Sequence, residues 1–73
     1  MSKLTELHEQ AEEAKRLRTE AAISVAHIAE IAVHYLPDDW HMKAEFEQRV
    51  KDYSAKNEGF YDAVEDWYKG AKE

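Results

Sequence analysis

Two histidines and a glutamate are the residues best placed to do chemistry. His27, Glu30 and His34 are spaced i, i+3 and i+7, so on a helix their side chains would lie within about 60° of one another. Zinc, nickel and iron all accept imidazole and carboxylate ligands. The spacing therefore suggests a metal site that a second, symmetry-related copy could complete.

A structural interpretation competes with the metal site. Carboxylate-bridged sites in helical bundles use Glu-x-x-His pairs on two helices, whereas this chain has the order His-x-x-Glu, once. The same residues also continue a polar stripe that begins at Glu9. We favour the stripe, predict no metal or cofactor, and keep His27, Glu30 and His34 as the weak metal candidates.

A second cluster of titratable residues surrounds the only proline, in the stretch HYLPDDWHMKAEF. Pro37 suits the first position of a helix, where its missing N–H is not needed. Asp38 and Asp39 would place negative charge at the positive end of the helix dipole. The stretch therefore predicts a tight turn over 36–38, after which a second helix starts.

Catalytic machinery is not evident in the remaining sequence. The chain has no cysteine, hence no thiol nucleophile and no disulfide. It contains no glycine-rich phosphate loop, and a narrow helical hairpin offers little concave volume for a substrate. We predict a protein that is not an enzyme and has no catalytic residues.

Size and charge limit the function classes. The 73 residues form one domain near the limit at which a single core offsets chain entropy, and neither a signal peptide nor a membrane span is evident. We expect a cytoplasmic location. The composition is that of many small bacterial and phage-encoded accessory proteins, and it indicates no particular family.

The acidic composition disfavours direct contact with nucleic acids. Sixteen acidic residues face ten lysines and arginines, giving a net charge of −6, which repels phosphate backbones. The one local basic cluster contains Lys15, Arg16 and Arg18, and glutamates surround it. A nucleic-acid-associated accessory protein using these three cations remains an alternative hypothesis.

The first helix is predicted over about 3–35, with Ser2 as its N-cap. From Ala21 to Leu36, twelve of sixteen residues are apolar, so the helix is apolar around most of its circumference. One partner helix cannot cover such a surface. We therefore predict an all-α fold: an antiparallel hairpin of two long helices that dimerises into a four-helix bundle.

The second helix is predicted over about 38–69 and carries the most regular pattern in the chain. Apolar residues recur at alternating spacings of four and three, which is a heptad repeat. The predicted core or self-association residues of both helices are Val25, Ile28, Ala32, Tyr35, Phe46, Val50, Tyr53, Asn57, Phe60, Val64 and Trp67.

Asn57 admits two interpretations. A lone polar residue in a heptad core can fix the register, or the sequence KNEGF could break the helix near 57–59. We favour a continuous or merely kinked helix, because the heptad phase is unchanged across Gly59.

An outer stripe beside this seam is the predicted partner site. Tyr61 and Tyr68 lie among carboxylates, and tyrosine gives contact area at low entropic cost while acids steer a basic partner. The residues of this predicted site are Tyr61, Asp62, Glu65 and Tyr68. Packing of both tyrosines on the first helix or on a second subunit is the alternative. We predict an adaptor, inhibitor or regulatory accessory protein that binds another macromolecule, a basic protein.

Overall fold

The protein folds as two long α-helices that pack against each other, as a computed structural model shows. The structure describes residues 2–34 and 40–72, with only the backbone of Trp40. Within these ranges there is no strand, which confirms the all-α prediction. The predicted turn at 36–38 and the predicted core residue Tyr35 lie outside the described residues.

The first helix, α1, spans Lys3–Ala32. Ser2 has extended backbone geometry, and its hydroxyl accepts a hydrogen bond from the Thr5 backbone N–H at 3.2 Å. That bond satisfies one of the N–H groups that a helix start leaves unpaired. The helix ends at Ala32, and the backbone N–H of Val33 donates to the Ala29 carbonyl at 3.2 Å.

The second helix, α2, spans Trp40–Lys72 without interruption, so Asn57 and Gly59 are both helical. No described residue has a positive φ, which agrees with the unchanged heptad phase. Lys69 and Lys72 lie in the last turn, where positive charge interacts favourably with the helix dipole.

The two helices form an antiparallel hairpin. A Cβ built on Gly70 would lie 2.6 Å from Leu7 Cδ1, so the helix backbones approach closely at this end. Nearby, the His8 and Trp67 rings meet edge to face, with centroids 5.1 Å apart. Towards the other end, Arg49 Nη1 donates to the Ser24 carbonyl at 3.3 Å.

The core between the helices is thin. Only Ala11, Ala21 and Ile28 are buried among the described apolar residues, and no described side chain is fully enclosed. The remaining described residues of the predicted seam, from Val25 to Trp67, are half-buried. The hairpin is a rod of 53 × 13 × 13 Å with a radius of gyration of 16.4 Å, compared with about 11 Å for a compact chain of this length.

Candidate interaction surfaces

A polar contact marks one edge of the helix interface. Arg18 Nη1 donates to Asn57 Oδ1 at 3.4 Å, and the Arg18 guanidinium lies 4.8 Å from the centroid of the Phe60 ring. The Arg18 Nε is buried and has no hydrogen-bond partner. Asn57 is therefore not a lone polar group in the seam, because a charged side chain from α1 meets it.

The place of Arg18 at the helix interface was not predicted, although the sequence contains a signal for it. The residues Leu4, Leu7, Ala11, Ala14, Arg18, Ala21, Val25, Ile28 and Ala32 follow spacings of three and four without a slip. Leu17, the neighbouring apolar residue, obscures this series because it lies one position away from Arg18. The complete heptad series puts Arg18 at a seam position, where its long aliphatic stem packs and its charged end reaches the edge.

The Arg18–Asn57 contact and the Arg49–Ser24 contact lie on opposite edges of the interface, so they distinguish two broad sides of the hairpin. Helical residues turn by about 100° each, which assigns outward-facing positions to one side or the other. The side next to Arg18 and Asn57 we call the apolar side. Its outward apolar residues are Ala22, Ala26 and Ala29 of α1, Val33 directly after α1, and Tyr61 and Tyr68 of α2. The charged residues Glu12, Lys15, Glu47 and Glu58 share this side.

Large apolar groups on the apolar side are open to solvent. Val33 is 77% exposed, Tyr61 60% and Tyr68 58%. A shallow groove of about 180 Å³ is lined by Ala22, Val25, Ala26 and Tyr53. The hairpin alone thus leaves uncovered part of the apolar surface that the sequence predicts must be covered.

The opposite side, next to Arg49 and Ser24, we call the acidic side. Its carboxylates are Glu6, Glu9, Glu13, Glu20 and Glu30 on α1 and Glu45, Asp52, Asp62 and Asp66 on α2. An open groove of about 470 Å³ lies along α1, with Ala14 and Leu17 as its apolar floor and Glu6, Glu9, Gln10 and Glu13 around them. We call this the acidic groove.

Ion pairs on the acidic side form within single helices. Arg16 pairs with Glu13 and, at 2.7 Å, with Glu20; Lys56 pairs with Asp52 at 3.1 Å. The hydrogen bond from Arg16 holds the pKa of the Glu13 carboxyl below its usual value. None of the ion pairs among the described residues involves Glu6 or Glu9. The two carboxylates at this end of the acidic groove are therefore not neutralised by an ion pair.

The four predicted partner-binding residues are all exposed and occupy one 120° sector of α2. Lysines also lie in this sector. Lys69 Nζ is 2.8 Å from Glu65 Oε1 and keeps the pKa of the Glu65 carboxyl low, while Lys72 Nζ lies 4.5 Å from the Tyr68 ring centroid. These two lysines partly offset the negative charge of Asp62 and Glu65. The sector itself extends from the apolar side to the acidic side of the hairpin.

His27, Glu30 and His34 are exposed on the acidic side. Among residues 2–34 and 40–72, no group of three or more histidine, aspartate or glutamate side chains is arranged to hold a metal ion. The metal hypothesis therefore requires ligands from a second copy, as its original form assumed.

The basic cluster near Arg18 is divided between different environments. Arg16 pairs with two glutamates on the acidic side, whereas Arg18 packs at the seam against Phe60. Lys15 is exposed. The segment therefore does not present its three cations as one surface, which weakens the case for phosphate binding here.

Comparison of the chain with protein-family models, with curated proteins and with solved structures gave no match. Neither described helix is both long enough and apolar enough to cross a bilayer. The case for a function therefore depends on the two sides of the hairpin.

Proposed function

We propose that this chain is a non-enzymatic helical protein that self-associates and binds another macromolecule, acting as an adaptor, inhibitor or regulatory accessory protein. Self-association uses the apolar side. The acidic side binds a basic protein. One observation carries the proposal: the two broad sides of one thin hairpin differ in chemistry, because Tyr61, Tyr68 and Val33 are exposed on one side and most of the described carboxylates lie on the other.

The acidic groove is the better defined surface for a foreign partner. Its floor of Ala14 and Leu17 offers apolar contact, and its carboxylates surround that floor. A basic amphipathic helix would match this arrangement, because its apolar stripe could lie on the floor while its lysines and arginines face the glutamates.

A peptide-binding measurement tests the acidic groove. The probe is a synthetic amphipathic helix of lysine, arginine and leucine, and its control is a peptide of the same composition without helical periodicity. We expect the amphipathic peptide to bind more tightly in fluorescence anisotropy, and its affinity to fall as salt rises. Equal binding of both peptides would show that the groove attracts positive charge without recognising an amphipathic helix, which would contradict the proposal.

Matched charge variants locate the binding surface. Glu6→Gln with Glu9→Gln removes two charges from the acidic groove, and we expect binding to weaken by about tenfold. Glu30→Gln with Asp62→Asn removes the same charge away from both the acidic groove and the apolar side, and controls for net charge. Equal weakening by both pairs would place the peptide elsewhere.

The metal-binding alternative has its own test. Calorimetry with zinc, nickel or iron should show heat that disappears when His27 and His34 are both changed to alanine, with protons released on binding. Absence of heat at micromolar metal would end this alternative.

A further inference from the structure

The area of the hairpin indicates how much surface a partner would have to cover. A compact monomer of 8.5 kDa exposes about 4,650 Å², whereas this chain exposes 5802 Å². The excess is about 1,150 Å². A stable protein interface buries about 800 Å² on each partner, so one interface of ordinary size would remove most of the excess.

The apolar side has two unlike ends. At one end, Tyr61 and Tyr68 project from α2; we call this the tyrosine end. At the other end, the small side chains of Ala22 and Ala29 make the surface of α1 nearly flat. A groove lined by Ala22, Val25, Ala26 and Tyr53 lies beside them. We call this the alanine end. The Arg18–Asn57 contact lies between the two ends.

We infer that the occupant of the apolar side is a second copy running in the opposite direction, so that the tyrosine end of each copy lies level with the alanine end of the other. This inference rests on the self-association part of the proposed function. It specifies the partner, the orientation and the role of the tyrosines, which it assigns to the second copy and not to a foreign protein.

The spacing of the two ends supports this orientation. Tyr61 and Tyr68 are seven residues apart, as are Ala22 and Ala29, which is about 10.5 Å along a helix in both cases. In the antiparallel hairpin, Tyr61 lies level with Lys15. If a two-fold axis passes through the Arg18–Asn57 contact, Tyr61 lies over Ser54 of the partner subunit at the level of Ala22 of the partner subunit. Tyr68 then lies over Glu47 of the partner subunit at the level of Ala29 of the partner subunit.

A second copy running in the same direction would pack less well. It would place both pairs of tyrosines at one level and both pairs of alanines at the other. The tyrosines would then hold the helices apart while the alanine ends faced each other across a gap. Close packing requires large residues opposite small ones, and empty space in an interior is destabilising.

The orientation also decides which helices stack. When two hairpins pack face to face in opposite directions about a two-fold axis, α1 lies on α1 of the partner subunit. When they run in the same direction, α1 lies on the partner's α2. Residues 15 and 22 of different copies meet in the first case, and residues 22 and 54 meet in the second.

Disulfide cross-linking tests the inference, because the chain has no native cysteine. Three single variants are made at positions on the apolar side: Lys15→Cys and Ser54→Cys, which are exposed, and Ala22→Cys, which is half-buried. Pairs are mixed and oxidised mildly, and each variant alone measures random cross-linking. A disulfide needs Cα atoms within about 7 Å, so only residues that face each other across the interface will react efficiently.

We expect the mixture of K15C and A22C to give several times more covalent dimer than either variant alone, and the mixture of A22C and S54C to give no excess. The reverse pattern would overturn the inference and leave self-association standing. A dimer in sedimentation equilibrium with no excess in either mixture would also overturn it, since the apolar side would not be the interface. A monomer at all concentrations would remove the inference and the self-association part of the proposed function together, leaving the acidic groove to its own test.

Discussion

The two broad sides of the hairpin differ in how far their side chains find partners within the hairpin itself. On the acidic side, Arg16 and Lys56 pair with carboxylates three or four residues away on the same helix. On the apolar side, Tyr61, Tyr68 and Val33 remain largely exposed. Charges can be balanced within one helix, whereas apolar area leaves water only when another surface covers it. The apolar side therefore carries the large apolar groups that only another surface could remove from water.

The largest expected effect comes from a charge on the apolar side. Ala26→Arg replaces an exposed alanine of the groove, so the single hairpin should still fold. In a symmetric dimer the change occurs twice, and burying unpaired charge is costly. We expect the association constant to fall by roughly 100-fold or more, which is about 3 kcal/mol, as measured by sedimentation equilibrium.

Ile23→Arg is the matched control for that variant. Ile23 is also an exposed apolar residue of α1, 64% exposed, but its helical position faces away from the apolar side. We expect its association constant to stay within about threefold of the unaltered chain. Equal loss in both variants would mean that the two sides do not differ in their role in association.

The next effect concerns the charged group at the edge of the apolar side. Asn57→Leu removes the acceptor of the Arg18 guanidinium and leaves it poorly paired. We expect the free energy of unfolding to fall by about 1–2 kcal/mol in urea denaturation at fixed protein concentration. The double variant with Arg18→Leu should recover most of this loss, because an apolar pair replaces both polar groups. Additive losses in the double variant would show that the contact is not energetically coupled.

A smaller effect distinguishes the two glycines of α2. A Cβ on Gly59 would meet no atom within 4 Å, whereas one on Gly70 would lie 2.6 Å from Leu7 Cδ1. Gly59→Ala should raise the free energy of unfolding by about 0.5–1 kcal/mol, because alanine favours the helix. Gly70→Ala should raise the free energy of unfolding by less than this, or lower it, because the Leu7 side chain must move to make room for the new methyl group. Thermal melts of both variants measure the difference, and equal gains would contradict the close approach of the helices at Gly70.

The smallest effect is the pH dependence of the acidic side. Arg16 lowers the pKa of Glu13 by hydrogen bonding, so this carboxyl binds its proton less readily in the folded state than in the unfolded state. Its contribution to stability is present above its unfolded pKa and is lost as pH falls through its lowered folded pKa. Glu13→Gln should remove this part of the acid dependence in melts below about pH 4.5. An unchanged acid profile would show that the exposed pair contributes nothing measurable.

The sequence predicted the fold class because strong local signals agreed. The heptad repeat of α2 runs without a slip, and it contains no proline and only two glycines, Gly59 and Gly70, which a long helix tolerates. By contrast, Arg18 was assigned to a basic cluster, since charge is normally a sign of the solvated face. Its position in the α1 heptad series was the stronger signal, because the seam of a thin hairpin leaves a long side chain room to reach its edge.

The candidate surfaces were predictable only in part. Tyr61, Asp62, Glu65 and Tyr68 are exposed within one sector, as their spacing indicates. Their charge balance depends on Lys69 and Lys72, whose side chains fold back from the next turn. Which edge of the interface each residue borders depends on how α2 is rotated against α1. That rotation is set by contacts between the helices, such as Leu7 with Gly70, which no single-helix pattern contains.

The rod shape of the hairpin has a consequence for valency. The acidic groove occupies one end of a rod 53 Å long. In the two-fold pair, whose copies run in opposite directions, the two acidic grooves would lie on opposite outer surfaces. They would be displaced by about 20 Å along the long axis. A partner carrying two basic segments, joined by a linker long enough to reach around the bundle, would bind with avidity, since its second contact would form at a high effective concentration. A partner with a single basic segment would gain no such advantage.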